Sequence, residues 1–172
     1  MKSKFLPIIV TSLIIPTLAS AKVGNIVATA TKAGKFQILT ALAKKARLVS
    51  TLESKGPYTV LAPDDMAFKE LVKKAPALEN FLLTHPAVLK KVLLYHVIAG
   101  NVMSSALHNH MKLKTVEGEY VYVTISHGHV YFNHHVEVIA PNVKASNGVI
   151  HVLKGVLVPP SLRSAVMKLM HK

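Results

Sequence analysis

The sequence contains no cysteine, and this absence excludes several kinds of chemistry. The protein has no disulfides, no thiolate metal ligands, no cysteine nucleophile and no cysteine that could carry a lipid anchor. An exported form of this chain therefore depends on packing alone for its stability.

Signatures of catalysis are missing as well. The chain has no G-x-S-x-G elbow, no glycine-rich loop of the kind that cradles phosphate, and no H-E-x-x-H pair. Its 8 acidic residues are few and dispersed, so they nominate no catalytic pair of carboxylates. We expect a protein that is not an enzyme and that needs no cofactor.

The N-terminus has the three parts of a secretory signal peptide. Met1 to Lys4 is basic, Phe5 to Leu18 is mostly apolar, and Ala19-Ser20-Ala21 is a small-residue cleavage pattern. The apolar run is shorter than a transmembrane helix requires, and an uncleaved anchor is the alternative. We predict that residues 1–21 are a signal peptide and that the mature protein is secreted or periplasmic.

Positive charge dominates the rest of the chain. Beyond residue 21 there are 19 basic and 8 acidic residues, a net charge of +11 with neutral histidines. Such a surface attracts anionic partners, among them envelope polysaccharides and acidic lipid headgroups. The lysines come in scattered pairs without a recognition motif, which predicts no specific nucleic-acid site. A general solvated basic face is the alternative to any dedicated site.

The first half of the mature chain has the pattern of helices. Asn25 is a candidate N-cap, and Gly34 a candidate helix end. The apolar spacing then predicts one amphipathic helix (Leu39, Leu42, Ala43, Ala46) and a short further turn (Leu48, Val49, Leu52) that Gly56-Pro57 stops. Two more helices are predicted to begin at Pro76 and Pro86.

A β-prone run from Tyr58 to Leu61 leads to two adjacent carboxylates, Asp64 and Asp65. Such a pair could bind a hard cation, but the further oxygen ligands of a calcium loop are missing. A carboxylate here can instead accept hydrogen bonds from the free N–H groups at a helix start. We favour helix capping.

His96 is predicted to lie on the apolar face of the helix that begins at Pro86. It follows Leu89, Val92 and Leu93 at helical spacing. A histidine in that position is usually a core residue whose ring nitrogens bond to backbone groups. Gly100-Asn101 is predicted to end this helical region.

The second half has the pattern of strands separated by turns. The predicted order is a turn at Val116 to Glu119, a strand at Val121 to Ile125, a hairpin loop at Ser126 to His129, a returning strand at Val130 to Phe132, a strand at His134 to Ile139 and a turn at Pro141-Asn142. Helices followed by strands predict an α+β domain.

The last strand is predicted within Asn147 to Pro160 (NGVIHVLKGVLVPP). Asn147-Gly148 suits a tight turn because both residues tolerate positive φ. Val149 to Leu153 is then predicted to be a buried strand, which Lys154-Gly155 interrupts. Val156 to Val158 is predicted to continue that strand until the two prolines end it.

Three of these segments resemble the fasciclin (FAS1) domain family. Tyr58 to Phe68 (YTVLAPDDMAF) is similar to the family's first box, Leu94 to Val97 (LYHV) to its tyrosine-histidine motif, and Asn147 to Pro160 to its C-terminal box. The resemblance covers nearly the whole mature chain and assigns the domain to residues 22–160. It implies a β-wedge or sandwich of about seven strands flanked by N-terminal helices.

The resemblance also implies roles for individual residues. The structural boxes contain Asp64, Asp65, Phe68, Asn147, Gly148 and His151. Asp64 stands where the family usually has threonine or serine, a change that still permits capping. The tyrosine-histidine motif has been implicated in adhesion to receptors such as integrins, which nominates Tyr95 and His96 for binding. If both are buried, their part in binding is indirect.

Two functions follow from the resemblance. The first is a secreted module for adhesion to a cell surface or matrix, whose partner is a surface or matrix protein or an anionic polysaccharide. The second is a carrier of an apolar small molecule, since some fasciclin-like proteins bind carotenoids or other hydrophobic ligands. The sequence holds several methionines that can pack adaptably, although methionine in a helix more often fills the core (Met66, Met103, Met111, Met167, Met170).

Histidine is abundant in the β-rich span. His127 and His129 are candidate metal ligands, because His-x-His on a strand places both rings on one face. They straddle a predicted turn, however, so solvated loop histidines are the preferred interpretation for the whole set (His108, His110, His127, His129, His134, His135). Exposed histidines gain charge on acidification, and we hypothesise that adhesion to an anionic surface then strengthens.

The C-terminal tail, residues 161–172, has the pattern of a short basic amphipathic helix. Leu162, Val166, Leu169 and Met170 share one face. This face either docks on the domain's own core, which we favour, or lies on an anionic membrane or partner.

Overall fold

The computed structural model describes residues 23–171, and the predicted signal peptide lies outside them. The helices are α1 (Ile26–Ala33), α2 (Gln37–Lys45), α3 (Val49–Glu53), α4 (Asp65–Lys74), α5 (Pro76–Thr84), α6 (Pro86–Leu94) and α7 (Arg163–Met170). The strands are β1 (Tyr58–Pro63), β2 (Val97–Ala99), β3 (Lys112–Lys114), β4 (Tyr120–Ser126), β5 (His129–Phe132), β6 (Val136–Ala145) and β7 (Gly148–Leu153). The predicted α+β class with about seven strands is confirmed.

Local sequence signals set the helix boundaries. The Asn25 side chain accepts a hydrogen bond from the Ala28 N–H over 2.8 Å at the start of α1, and Gly34 ends that helix with φ 70°. Pro76 and Pro86 occupy the first positions of α5 and α6, where a missing N–H costs nothing. The predicted cap, terminator and two proline starts are confirmed.

The seven strands form one nearly closed sheet in the order β2-β1-β7-β6-β5-β4-β3. β1 and β7, the second and third strands in this order, are parallel, and the other pairs are antiparallel. The two ends of the sheet approach each other: Ile98 pairs with Thr115, and the Val116 N–H donates to the Val97 carbonyl over 2.7 Å. The sheet therefore encloses an interior.

The core divides into a sheet interior and two helix-facing clusters. The side chains of Leu61, Tyr95, Val121, Phe132 and Leu153 meet in the interior and are fully buried. One outer cluster joins α5, α6 and α7, and the other lies between α1 and the outer face of β1 and β7. This arrangement buries both faces of β1 and β7, whose sequences are mostly apolar.

The end of α6 differs from the prediction. The helix stops at Leu94, and Val97–Ala99 is strand β2 rather than helix up to Gly100-Asn101. The predicted end was wrong because Val97 and Ile98 find a pairing partner in β1, and tertiary pairing overrides local helical periodicity.

The strand predicted at His134 to Ile139 differs at both ends. Asn133 and His134 have positive φ, so the strand begins only at Val136. It continues to Ala145 through Pro141-Asn142, which forms an irregularity in the β6 register instead of the predicted turn. Asn142 has φ 60°, as in a β-bulge, which bends a strand without ending it.

Two predictions for the last box, Asn147 to Pro160, are wrong. Ser146 and Asn147 form the turn between β6 and β7, and neither Asn147 nor Gly148 has positive φ. The buried strand ends at Leu153, and the predicted continuation at Val156 to Val158 is wrong. The Leu157 N–H donates to a histidine ring instead of to the sheet.

The C-terminal helix α7 packs on the domain. Val166 is buried in the cluster with α5 and α6, and Leu162 and Leu169 are partly buried against it. Just before the helix, Ser161 donates from its N–H and its hydroxyl to the Glu119 carboxylate over 3.0 and 2.6 Å. Among residues 23–171, no helix is long and apolar enough to cross a membrane.

Candidate functional site

Tyr95, the first residue nominated for binding, is fully buried between α6 and the sheet. Its hydroxyl donates to the Tyr120 carbonyl over 2.8 Å and accepts from the Asn133 side-chain amide over 2.9 Å. Burial raises the pKa of Tyr95 above its usual value. The neutral phenol thus ties the end of α6 to β4 and to the turn before β6.

His96, the second nominated residue, is also buried, as its position on the apolar face predicted. Its Nδ1 lies 2.8 Å from the Val92 carbonyl, and its Nε2 accepts from the Leu157 N–H over 2.9 Å. This arrangement requires a neutral ring with the proton on Nδ1. Burial lowers the pKa of His96 to about 4, which keeps the ring neutral.

The tyrosine-histidine motif is therefore part of the core. Both rings are almost wholly inaccessible; Tyr95 joins three separate segments of the chain, and His96 joins two. A surface partner has no access to either side chain in this structure. Any influence of Tyr95 or His96 on binding has to pass through the segments they hold together.

The carboxylates of the first box bond to helix N-termini. Asp64 accepts from the Ala67 N–H over 2.8 Å at the start of α4, which confirms the predicted cap. Asp65 accepts from the Ile38 N–H over 2.8 Å and so joins α4 to the first turn of α2. Phe68 is buried beneath the same helices. Asp64 thus caps α4, and Asp65 ties the start of α4 to the start of α2.

Asn147 forms hydrogen bonds through its side chain, and Gly148 lets the backbone of β1 approach closely. The Asn147 amide donates to the carbonyls of Leu52 and Ser54, each over 2.7 Å, and its oxygen accepts from the Ile26 N–H over 2.9 Å. A Cβ at Gly148 would lie 1.8 Å from the Tyr58 carbonyl oxygen. The last box therefore locks α1, α3 and β1 around the turn.

His151 forms a second buried polar connection. Its Nε2 lies 2.6 Å from the Val102 carbonyl, and its Nδ1 accepts from the Asn142 N–H over 3.1 Å. Burial lowers the pKa of His151, so this ring too is neutral. It joins β7 to the bulge in β6 and to the segment after β2.

The candidate metal ligands do not form a cluster. His127 lies in the hairpin turn with its Nδ1 2.9 Å from the Ser126 hydroxyl, and the His129 Nδ1 lies 2.8 Å from a Glu137 carboxylate oxygen. Both histidines are exposed, as are His108, His110, His134 and His135. Between residues 23 and 171, no three histidine, aspartate or glutamate side chains are placed to hold a metal ion.

An apolar groove lies between α2, α4 and α5. Its volume is about 370 Å³, and the apolar side chains in it include Ile38, Leu42, Phe68, Leu78 and Leu83. Lys69, Lys73 and Glu79 are the charged residues along it. The sequence does not predict this groove, because each helix shows only an ordinary amphipathic face and the groove is the space left between α2, α4 and α5.

Comparison with known proteins identifies the family. The fasciclin domain model matches residues 34–159. Protein sll1735 of Synechocystis sp. is 35% identical over 77% of this chain and 96% of its own length. The transforming growth factor-beta-induced protein ig-h3 of Oryctolagus cuniculus is 33% identical over 75% of this chain, which corresponds to 18% of that protein.

A solved structure has the same fold. It is the FAS1 domain pair from the insect cell adhesion molecule fasciclin I, with a TM-score of 0.72 and 16% sequence identity. The match covers 81% of this chain and 52% of the solved chain. Together with the family model and the Synechocystis relative, it shows that this chain belongs to the fasciclin domain family.

Proposed function

We propose that this protein is an exported binding module that attaches to anionic polymers of a cell surface or matrix and catalyses no reaction. Membership of the fasciclin family supports a binding role, since the solved FAS1 pair comes from a protein described as a cell adhesion molecule. The predicted signal peptide supports export.

The observation that carries the proposal is uncompensated positive charge. Among residues 23–171, only Lys91 and Lys154 lie near a carboxylate, at 3.5 and 3.9 Å from Glu117 and Glu137. The other lysines and arginines in this range have no acidic partner at such distances, and the net charge beyond residue 21 is +11 with neutral histidines. Free cations at this density favour a polyanionic partner over a neutral one.

Binding to an anionic polymer and to a neutral polymer tests this function. The chain is expressed with its own N-terminal segment, purified after export and passed over immobilised polygalacturonate and immobilised dextran at the same salt concentration. We expect retention on the anionic polymer alone. Equal retention on both, or retention on neither, would overturn the proposal. The intact mass of the same sample shows whether residues 1–21 have been removed.

The groove between α2, α4 and α5 favours a second function, the carriage of an apolar small molecule. A volume of about 370 Å³ falls within the range of small-molecule sites. Its lysines could hold an acidic head group at the rim while the aliphatic and aromatic side chains contact an apolar body.

A native mass spectrum and an absorption spectrum of protein purified gently from its own host test this second function. Extra mass that organic solvent releases supports a carrier, and the substitution Leu83→Glu at the groove rim is expected to abolish it. A bare polypeptide mass would count against carriage and leave surface binding as the function.

A further inference from the structure

The outer face of β3 and β4 carries two exposed lysines and two exposed tyrosines. Lys112 and Lys114 flank the buried Leu113, and Tyr120 and Tyr122 flank the buried Val121. The strand register places Lys112 opposite Tyr122 and Lys114 opposite Tyr120. Alternate residues of a strand share one face, so these four side chains lie together on the outside of the sheet. We call them the tyrosine-lysine face.

Both tyrosines on this face are exposed to solvent. Tyr120 is 44% exposed and Tyr122 is 41% exposed. Large aromatic side chains bury most of their surface when they serve the core, and they are enriched where proteins bind partners. The polar hydroxyl adds a hydrogen-bonding group to each ring.

The backbone beneath the face is held in place from the core. Tyr122 donates its N–H to the Asn133 side-chain oxygen over 3.1 Å, and its carbonyl accepts from the Asn133 N–H over 2.8 Å. Asn133 is buried and also donates to the Tyr95 hydroxyl. The Tyr120 carbonyl accepts from that same hydroxyl. The buried tyrosine of the family motif thereby fixes the strand that presents the two exposed ones.

The lysines are available for a ligand. Neither Lys112 nor Lys114 has a carboxylate within ion-pair distance among the residues that the structure describes. The Lys112 ammonium lies over the Tyr120 ring, 5.7 Å from its centre, in a cation–π arrangement. A ligand that offers an anionic group beside a flat apolar surface would satisfy both kinds of side chain.

We propose that the tyrosine-lysine face binds a chain of anionic polysaccharide. The tyrosine rings pack against the C–H faces of successive sugars, their hydroxyls bond to sugar hydroxyls, and Lys112 and Lys114 pair with uronate or sulfate groups. This inference rests on the proposed function and names the surface that performs it. It also gives Tyr95 an indirect part in binding, through the position of β4.

The composition of the face favours a polysaccharide over single-stranded nucleic acid. Single-stranded nucleic acids are bound in grooves whose positive charge tracks a phosphate at every nucleotide. This face offers two lysines and no arginine, and its neighbours on β4 and β5 are the neutral side chains Thr124 and Tyr131, paired in register. Sparse cations among hydroxyl groups match a ligand that is itself rich in hydroxyls and moderately charged.

Matched charge removals test the inference. Lys112→Gln/Lys114→Gln removes two cations from the face, and Lys44→Gln/Lys45→Gln removes two exposed cations from the end of α2. We expect the first double variant to bind polygalacturonate about tenfold more weakly and the second to bind within about twofold of the unchanged chain. Tyr122→Thr, which preserves β propensity, is expected to weaken binding by a similar factor without a large change in melting temperature.

Each other outcome has a distinct meaning. Equal losses in the two double variants would overturn the inference and leave binding through general charge. Binding of oligo-dT as tight as that of polygalacturonate, with the same dependence on Tyr122, would identify a nucleic-acid surface and also overturn it. If the unchanged chain fails to bind polygalacturonate, the proposed function itself is wrong.

Discussion

The backbone N–H of Leu157 donates to Nε2 of His96 over 2.9 Å. The two residues are 61 positions apart, and both are buried. Through the opposite ring nitrogen, His96 also bonds to the Val92 carbonyl in the last turns of α6. One neutral imidazole therefore connects a helix to the segment that leaves the last strand, where no sheet partner is present for Leu157.

Replacement of His96 should destabilise the fold strongly. His96→Ala leaves two buried backbone groups without partners and opens a cavity, for an expected loss of about 2–5 kcal/mol in the free energy of unfolding. Urea denaturation followed by circular dichroism measures the loss. The exposed His108→Ala serves as the control and should change stability by less than about 0.5 kcal/mol. Equal stability of the two variants would show that the His96 bonds contribute nothing.

Stability should also fall on mild acidification. The pKa of His96 is lowered from 6.5 to about 4 in the folded chain, and the pKa of His151 is lowered as well. The unfolded chain therefore binds more protons as the pH falls below 6.5, and the stability present above that pH is lost progressively down to about pH 4. For His96 alone the loss between pH 7 and pH 5 is about 2 kcal/mol. Urea midpoints that stay constant across this range would contradict neutral, buried histidines.

The last box contains a glycine that cannot be replaced and one that can. Gly148→Ala would place a Cβ 1.8 Å from the Tyr58 carbonyl oxygen and force β1 and β7 apart, with an expected loss of about 3 kcal/mol or more. Gly155→Ala meets only Val136 methyl groups at 3.5 Å and should stay within about 0.5 kcal/mol of the unchanged chain. Thermal melting compares the two, and similar melting temperatures would contradict the close packing of these strands.

Sequence patterns predicted the features that depend on neighbouring residues. The Asn25 and Asp64 caps, the proline helix starts and the hairpin at His127-Gly128 follow from local chemistry and are present. The prediction failed where distant pairing decides the structure. Strand β2 exists because β1 lies beside it, and Leu157 leaves the sheet because His96 accepts its N–H.

The candidate site was predictable only in part. Burial of His96 followed from helical spacing, whereas the special role of Asn147 did not, because its three hydrogen bonds reach residues 93 to 121 positions away. The strand at Val121 to Ile125 was predicted, but the exposed positions of Tyr120 and Tyr122 were not. The register that sets Lys112 and Lys114 beside them is visible only in the folded sheet.

The C-terminal tail should contribute to stability. Val166 is buried against α5 and α6, so Val166→Ala should cost about 1–3 kcal/mol, while the neighbouring Met167→Ala, at a site 52% exposed, should cost little. Deletion of residues 161–172 should lower the melting temperature further. If the deletion leaves the melting temperature unchanged and abolishes vesicle binding, α7 serves a membrane instead of the core.

The salt dependence of binding to polygalacturonate tests the central claim most directly. Each pairing between a lysine and a uronate releases counterions, so affinity should fall steeply, by about tenfold or more, as salt rises from about 50 to about 500 mM. Dextran serves as the neutral reference at every salt concentration. Affinity that falls in this way, for the anionic polymer alone, is the predicted result. Affinity that is indifferent to salt would contradict a function based on the positive surface of this fasciclin domain.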